Sequence, residues 1–185
     1  MRSIQAAISS FAFSLLAACQ PADPIDRVNG PTIAETAAIA RDQTALERYV
    51  RGNTLWSSNE PPGGHGTQVE YHSPQGDVFL WYPGNARIVR GKWKIEATDD
   101  QPLLCYQYQR NSYNPVTGQM GGNWECSTQN WVYLPVAMAG DPFALASDRV
   151  PFVIPDKGYY SPARLMLMAG KDPALIRMVR PAGQP

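Results

Sequence analysis

The chain has 185 residues, of which 44% are hydrophobic and 17% charged, and its 16 basic side chains are balanced by 16 acidic ones. This composition excludes a disordered chain, and the balanced charge argues against a surface that binds nucleic-acid phosphates. We therefore expect a folded protein with its own hydrophobic core and no nucleic-acid partner.

The first eighteen residues have the pattern of an export signal. One cation, Arg2, precedes an uncharged apolar run that ends in small residues. The run is too short for a permanent transmembrane helix, which needs about 20 apolar residues. We expect residues 1–18 to be a signal peptide and the remainder to lie outside the cytoplasm.

The ending Leu16-Ala17-Ala18-Cys19 resembles the bacterial lipoprotein signal, in which the cysteine becomes the first residue and receives the lipid. If Cys19 carries the lipid, two of the three cysteines remain in the folded domain. An even number is expected of an exported protein, because its cysteines usually pair as disulfides. The sequence thus predicts a lipidated Cys19, a tether at 19–31 and a single domain at 32–185, held at a membrane of the bacterial envelope or free in the periplasm. The alternative is an ordinary cleavage site with Cys19 as a bystander.

Residues 32–50 carry apolar side chains at mostly helical spacing, with Asp42 and Thr44 as candidate caps. This pattern predicts one broken helix or two short helices that finish at Gly52. We expect them to close one end of the sheet that follows.

After Gly52 the pattern changes to alternating residues rich in aromatic and β-branched side chains, which is typical of strands. The connections are too short for helical crossovers, so the strands form an antiparallel meander. The fold class is therefore mainly β, a small antiparallel barrel or half-barrel with N-terminal helices and a C-terminal helix. The predicted strands are 53–57, 67–72, 77–82, 87–97, 103–109, 123–128 and 131–134.

Cys105 and Cys126 fall on two neighbouring predicted strands, in a register that places them opposite each other. Directly opposed residues of antiparallel strands are close enough for a disulfide, and an exported protein meets an oxidising compartment. Closing this loop is expected to stabilise the fold by about 3 kcal/mol. The alternative is a pair of free thiols.

Prolines recur after Leu134, at 135, 142, 151, 155 and 162, which favours an irregular wrap over the barrel with a short strand near 150–154. Asp172-Pro173 has the pattern of a helix cap followed by a first-turn proline. We expect a C-terminal helix from there to about Val179.

The sequence contains no nucleophile elbow, phosphate-binding loop or zinc-protease motif, and it predicts no catalytic residue, no cofactor and no metal. Gln68, Glu70 and His72 alternate onto one face of a predicted strand. A metal or acid–base site would need His65, Glu70 and His72 to converge, and the alternative is a solvated strand face. Adjacent Asp99 and Asp100 are expected to be solvated turn formers.

Aromatic side chains with polar tips are frequent on the predicted strands. Such residues line pockets for apolar or sugar-like ligands in barrels with a wet interior, although they also fill the cores of small domains. The candidates for ligand contact are Tyr71, Trp81, Trp93, Tyr106 and Trp124.

A turn of the form Pro-x-Gly between two strands is followed by Gly91-Lys92-Trp93, Leu104-Cys105-Tyr106 and Trp124-Glu125-Cys126. Over about residues 55–126 this order resembles small exported bacterial proteins of unknown function with a lipocalin-like β-barrel. In lipocalins proper the Gly-x-Trp motif lies on the first strand, whereas here it occurs at Gly91 and again at Gly122. The resemblance implies a fold and a compartment, and it implies no catalytic residues.

The function expected from these features is non-enzymatic binding of a small amphipathic ligand. The alternative is an envelope interaction module, an inhibitor or assembly factor, with a protruding loop at 111–122 and an exposed apolar patch within 135–162. A hydrolase that uses Glu70 and His72 is a third hypothesis.

Overall fold

The computed structural model describes residues 31–59, 63–128 and 134–180. The predicted signal peptide, Cys19 and all but the last residue of the tether lie outside these ranges. So does the predicted strand 131–134, except for Leu134. None of the helices within the described ranges is both long and apolar enough to cross a membrane.

Two short helices open the described chain, α1 at Ile33–Arg41 and α2 at Gln43–Val50. The predicted break is confirmed, because Asp42 ends α1 and its side chain accepts a hydrogen bond of 2.7 Å from the Ala45 amide as the cap of α2. Thr44 lies inside α2 and is not a cap. Thr32 caps α1 in a capping box with Glu35.

The seven strands form one antiparallel sheet that curls into a half-barrel, which confirms the predicted fold class. Its strand order is β6-β5-β4-β3-β2-β1-β7. Six strands follow one another as a meander, and the last lies beside the first. The strands are β1 Asn53–Asn59, β2 Gly66–His72, β3 Asp77–Trp81, β4 Val89–Glu96, β5 Leu103–Tyr108, β6 Glu125–Thr128 and β7 Val136–Ala139.

The C-terminal third differs from the prediction in two places. Residues 150–154 form bends and no strand, and the strand that completes this side of the sheet is β7. The predicted helix after Asp172 is a single 3-10 turn, Pro173–Leu175, although Asp172 does cap it. The chain then extends, because the Val179 amide donates to the Ala137 carbonyl at 2.8 Å along the outer edge of β7.

The C-terminal helix lies earlier, at α3, Pro162–Met168. Ser161 caps it, accepting a hydrogen bond from the Arg164 amide, and Pro162 occupies the first turn, where its missing N–H costs nothing. One of the prolines that we interpreted as a breaker therefore starts a helix.

Both faces of the sheet are covered. On one face, α1 and α2 pack over the strands. The buried residues of this helix-side core are Ile39, Leu46, Tyr49, Val50, Leu55, Val78, Trp93, Leu104, Leu134 and Ala137. On the other face, the C-terminal segment packs over Trp56, Val69, Phe79 and Trp81 with residues that include Phe143, Leu145, Ile154, Leu165 and Met166.

A disulfide bond joins Cys105 of β5 to Cys126 of β6, residues that lie directly opposite each other in the antiparallel register. This agrees with the predicted register. The strand pairing ends one step later, at Tyr106 and Glu125. The bond therefore closes the base of the loop 111–122, within which Tyr113 and Met120 form an isolated bridge.

Candidate functional site

Four polar side chains meet on the helix-side face of the sheet, where they form a buried polar cluster: Glu70, His72, Tyr106 and Tyr108. Alternation along β2 places Glu70 and His72 on one face, as predicted. Alternation along β5 places the two tyrosines on the same face. Their rings stack with centroids 5.9 Å apart.

His72 is fully buried, and its contacts define its tautomer. Nδ1 lies 3.1 Å from the Glu70 backbone carbonyl, which can only accept, so Nδ1 carries the proton. Nε2 then accepts a hydrogen bond of 2.9 Å from the Tyr106 hydroxyl. Burial lowers the pKa of His72 to about 3, so the ring is neutral at ordinary pH.

Glu70 is the acidic member of the cluster, with a side chain that is only 16% exposed. Its Oε1 accepts a hydrogen bond from the Tyr108 hydroxyl. Burial raises the pKa of Glu70 to about 7, since the hydrogen bond from Tyr108 offsets only part of the cost of removing the charge from water. The carboxyl group therefore changes charge near neutral pH.

Gly91 makes room for this arrangement. It lies opposite Tyr108 in the pairing of β4 with β5. A Cβ at position 91 would come within 2.9 Å of the Tyr108 ring and 2.7 Å of the Gln107 carbonyl oxygen. The absence of a side chain at Gly91 lets the Tyr108 ring lie over β4 and reach Glu70 on β2.

A pocket of about 70 Å³ opens beside the cluster, and we call it the Tyr108 pocket. Cross-strand pairing places Glu70 next to Leu80, and Leu80 next to Val89. Leu80 and Val89 line the pocket, so Glu70 is the neighbour of a lining residue. Strand residues form one side and the start of the 111–122 loop forms the other. The lining residues are His65, Gln68, Leu80, Tyr82, Val89, Tyr108, Ser112, Tyr113, Asn114 and Pro115.

No protein-family model matches the chain, and no curated protein or solved structure matches it either.

The five aromatic residues named from the sequence do not share one pocket. Tyr71 and Trp81 face the C-terminal core, where the Trp81 indole N–H donates to the Phe152 carbonyl at 3.0 Å. Trp93 and Tyr106 belong to the helix-side face, and the Trp93 indole N–H donates to the Ser73 carbonyl. Trp124 is exposed near the sheet edge, with the Lys94 ammonium 4.4 Å from its ring centroid.

The three residues proposed for a metal or acid–base site are only partly brought together. Glu70 Oε2 lies 3.5 Å from His72 Nε2, whereas His65 lines the Tyr108 pocket. In the described part of the chain, the group with metal-ligand spacing is Glu96, Cys105 and Cys126, and the disulfide occupies both of its sulfur atoms. This group therefore fits a structural bond and not a metal ion.

A wider, shallow groove of about 470 Å³ crosses the opposite face, lined by Arg90, Lys92 and Arg110 among other residues. Much of its charge is already paired. Lys92 contacts Asp77, and Arg90 lies 3.6 Å from Asp148. Exposed pairs of this kind leave a weak field, so the groove is the poorer candidate for a binding site.

Sequence reasoning missed the two residues that shape the pocket, Tyr108 and Gly91. Alternation along β5 places Tyr108 on the same face as Tyr106, which was a candidate. The glycine of the Gly-x-Trp motif was a further signal, because a glycine in the middle of a strand often marks a close approach of another group.

Proposed function

We propose that the protein binds a small amphipathic ligand in the Tyr108 pocket. The observation that supports this most strongly is that Tyr108, which lines the pocket, donates a hydrogen bond to a buried carboxyl group whose pKa is raised to about 7. A concave site with apolar walls and a few convergent polar groups, beside a strongly perturbed titratable residue, is typical of a ligand-binding site.

The walls of the pocket suit a ligand with two kinds of surface. Leu80 and Val89 form an apolar floor on adjacent strands. Gln68, Asn114 and Tyr108 are lining residues with polar side chains around it. A volume of about 70 Å³ is well below the roughly 300–1,000 Å³ of pockets that enclose a whole drug-sized ligand, so the pocket takes one end of a ligand and leaves the rest outside.

A second candidate function, an envelope interaction module, is favoured by the loop 111–122. Its side chains Tyr113 and Met120 are 56% and 58% exposed and lie opposite each other in the bridge that organises the loop. Exposed apolar groups on a loop pinned at its base by a disulfide suit contact with another protein. Under both functions we propose that the protein is exported and anchored to a membrane by a lipid on Cys19.

Native mass spectrometry of the protein purified from its own envelope tests ligand binding. We expect the wild type to carry an additional small mass that Val89→Trp lacks, because the indole fills the pocket. Pro115→Trp blocks the same pocket from the exposed loop and serves as a second variant with less risk to folding. Val153→Trp, at an exposed site outside the pocket lining, is the matched control and should retain the mass. A wild type without added mass, or blocked variants that keep it, would contradict the proposal.

A further inference from the structure

We infer that the ligand of the Tyr108 pocket carries a cationic head of the alkylammonium class, recognised by Tyr108 and the Glu70 carboxylate behind it. This inference rests on the proposed ligand-binding function and specifies the chemistry of the ligand.

The pocket carries little charge of its own. Among the described residues its lining contains no lysine, arginine or acidic residue. The basic group of this described lining is His65, and burial, with a smaller effect from Lys157, lowers the pKa of His65 and favours its neutral form. The carboxyl group of Glu70 contacts the lining residue Tyr108, and Glu70 is the cross-strand neighbour of Leu80, so it supplies a negative charge behind this wall.

Glu70 has no cationic partner among the residues that the structure describes. Its ion-pair contact there is with His72, which is uncharged at ordinary pH. Its cross-strand neighbours Leu55 and Leu80 are apolar, and β5 presents only the tyrosine hydroxyls. A buried carboxylate without a compensating cation is costly, so a bound cation would stabilise its ionised form.

The direction of the hydrogen bond at Tyr108 also favours a donor ligand. The Tyr108 hydroxyl donates its single proton to Glu70, so toward any ligand its oxygen can act only as an acceptor. A primary ammonium group supplies the N–H donors that such an oxygen needs. Tyr82, Tyr108 and Tyr113 are three of the lining residues, and aromatic rings attract ammonium ions.

Three small probes of nearly equal size separate the possibilities: n-butylammonium, n-butanol and butyrate, titrated by NMR into the full-length protein at pH 8. We expect n-butylammonium to bind at least tenfold more tightly than n-butanol and butyrate to bind least. Glu70→Gln should reduce the affinity for the ammonium to that for the alcohol. Asp148→Asn removes an equal charge on the opposite face, at a left-handed backbone position that Asn tolerates, and should change nothing.

If Glu70→Gln folds poorly, the pH dependence of binding to the wild type tests the inference independently. Protonation of Glu70 competes with the cation, so the affinity for n-butylammonium should fall at least tenfold between pH 8.5 and pH 5.5. The affinity for n-butanol should stay constant.

The outcomes also separate this inference from the function on which it rests. If all three probes bound equally and Pro115→Trp abolished their binding, the pocket would still bind ligands and the preference for a cation would be refuted. If no probe responded to Pro115→Trp, both the cation preference and ligand binding in this pocket would be refuted.

Discussion

At the scale of single residues, Glu70 and His72 are buried side by side and respond to burial in opposite directions. Burial disfavours the charged form of each, so it raises the pKa of the acid to about 7 and lowers that of the base to about 3. Both groups are therefore neutral in slightly acidic solution. Above pH 7 the cluster holds one uncompensated negative charge.

This charge has a consequence for stability. The pKa of Glu70 is about 7 in the folded protein and 4.5 as the unperturbed value, so the folded state binds the proton more tightly. Its contribution to stability is fully present below pH 4.5 and is lost as the pH rises through 7. This difference between the two pKa values corresponds to roughly 3 kcal/mol.

We predict that Glu70→Gln gains stability relative to the wild type as the pH rises, by up to about 3 kcal/mol between pH 4 and pH 8. The amide keeps the shape of the side chain and removes the charge that burial penalises. Urea unfolding of both proteins at the two pH values measures the difference, and the His72 contribution cancels because both proteins contain it. A stability difference that is independent of pH would show that Glu70 titrates as an ordinary surface acid.

At the scale of elements, local patterns predicted the meander well. Strands β1 to β5 begin and end within two residues of the predicted bounds, because alternation and turn residues are local signals. Strand β7 was missed because its pairing partner β1 lies some 80 residues away in the sequence. The segment around Val179 adopts an extended conformation because it pairs with β7, which is distant in sequence. This pairing overrides the weak helical signal that follows Asp172.

The candidate site was predictable in part. Alternation placed Glu70 and His72 on one face, but it could not tell whether that face was solvated. The structure buries it, because α2 contributes Leu46 and Tyr49 to the core on this side. The contact from Tyr108 depends on the curl of the sheet and on the space left at Gly91, and neither can be derived from the pattern of one strand.

At the scale of the whole molecule, a curled sheet is covered by helices on one face and by the C-terminal segment on the other. The Tyr108 pocket opens between the strands and the 111–122 loop, whose base the disulfide closes. This arrangement suits the proposed binding function, because the strands form one wall of the pocket and the loop forms the other.

We predict that Cys19→Ala releases the protein from bacterial membranes into the soluble envelope fraction, because the proposed lipid at this residue is the anchor. Fractionation and immunoblotting of cells that express the wild type and the variant measure the change. Cys105→Ser with Cys126→Ser is the control, since it removes two other cysteines and should leave the partitioning unchanged. Unchanged membrane binding of Cys19→Ala would show that another feature holds the protein there.

The most direct measurement of the proposed site is the titration of the Glu70 carboxyl carbon by ¹³C NMR, with and without n-butylammonium. We expect a midpoint near pH 7 in the free protein, because the group is buried without a cation. Saturating n-butylammonium should move this midpoint downward by at least one pH unit, because the bound cation stabilises the carboxylate. A midpoint near 4.5, or one that n-butylammonium leaves in place, would contradict the assignment of Glu70 and the Tyr108 pocket as the ligand site.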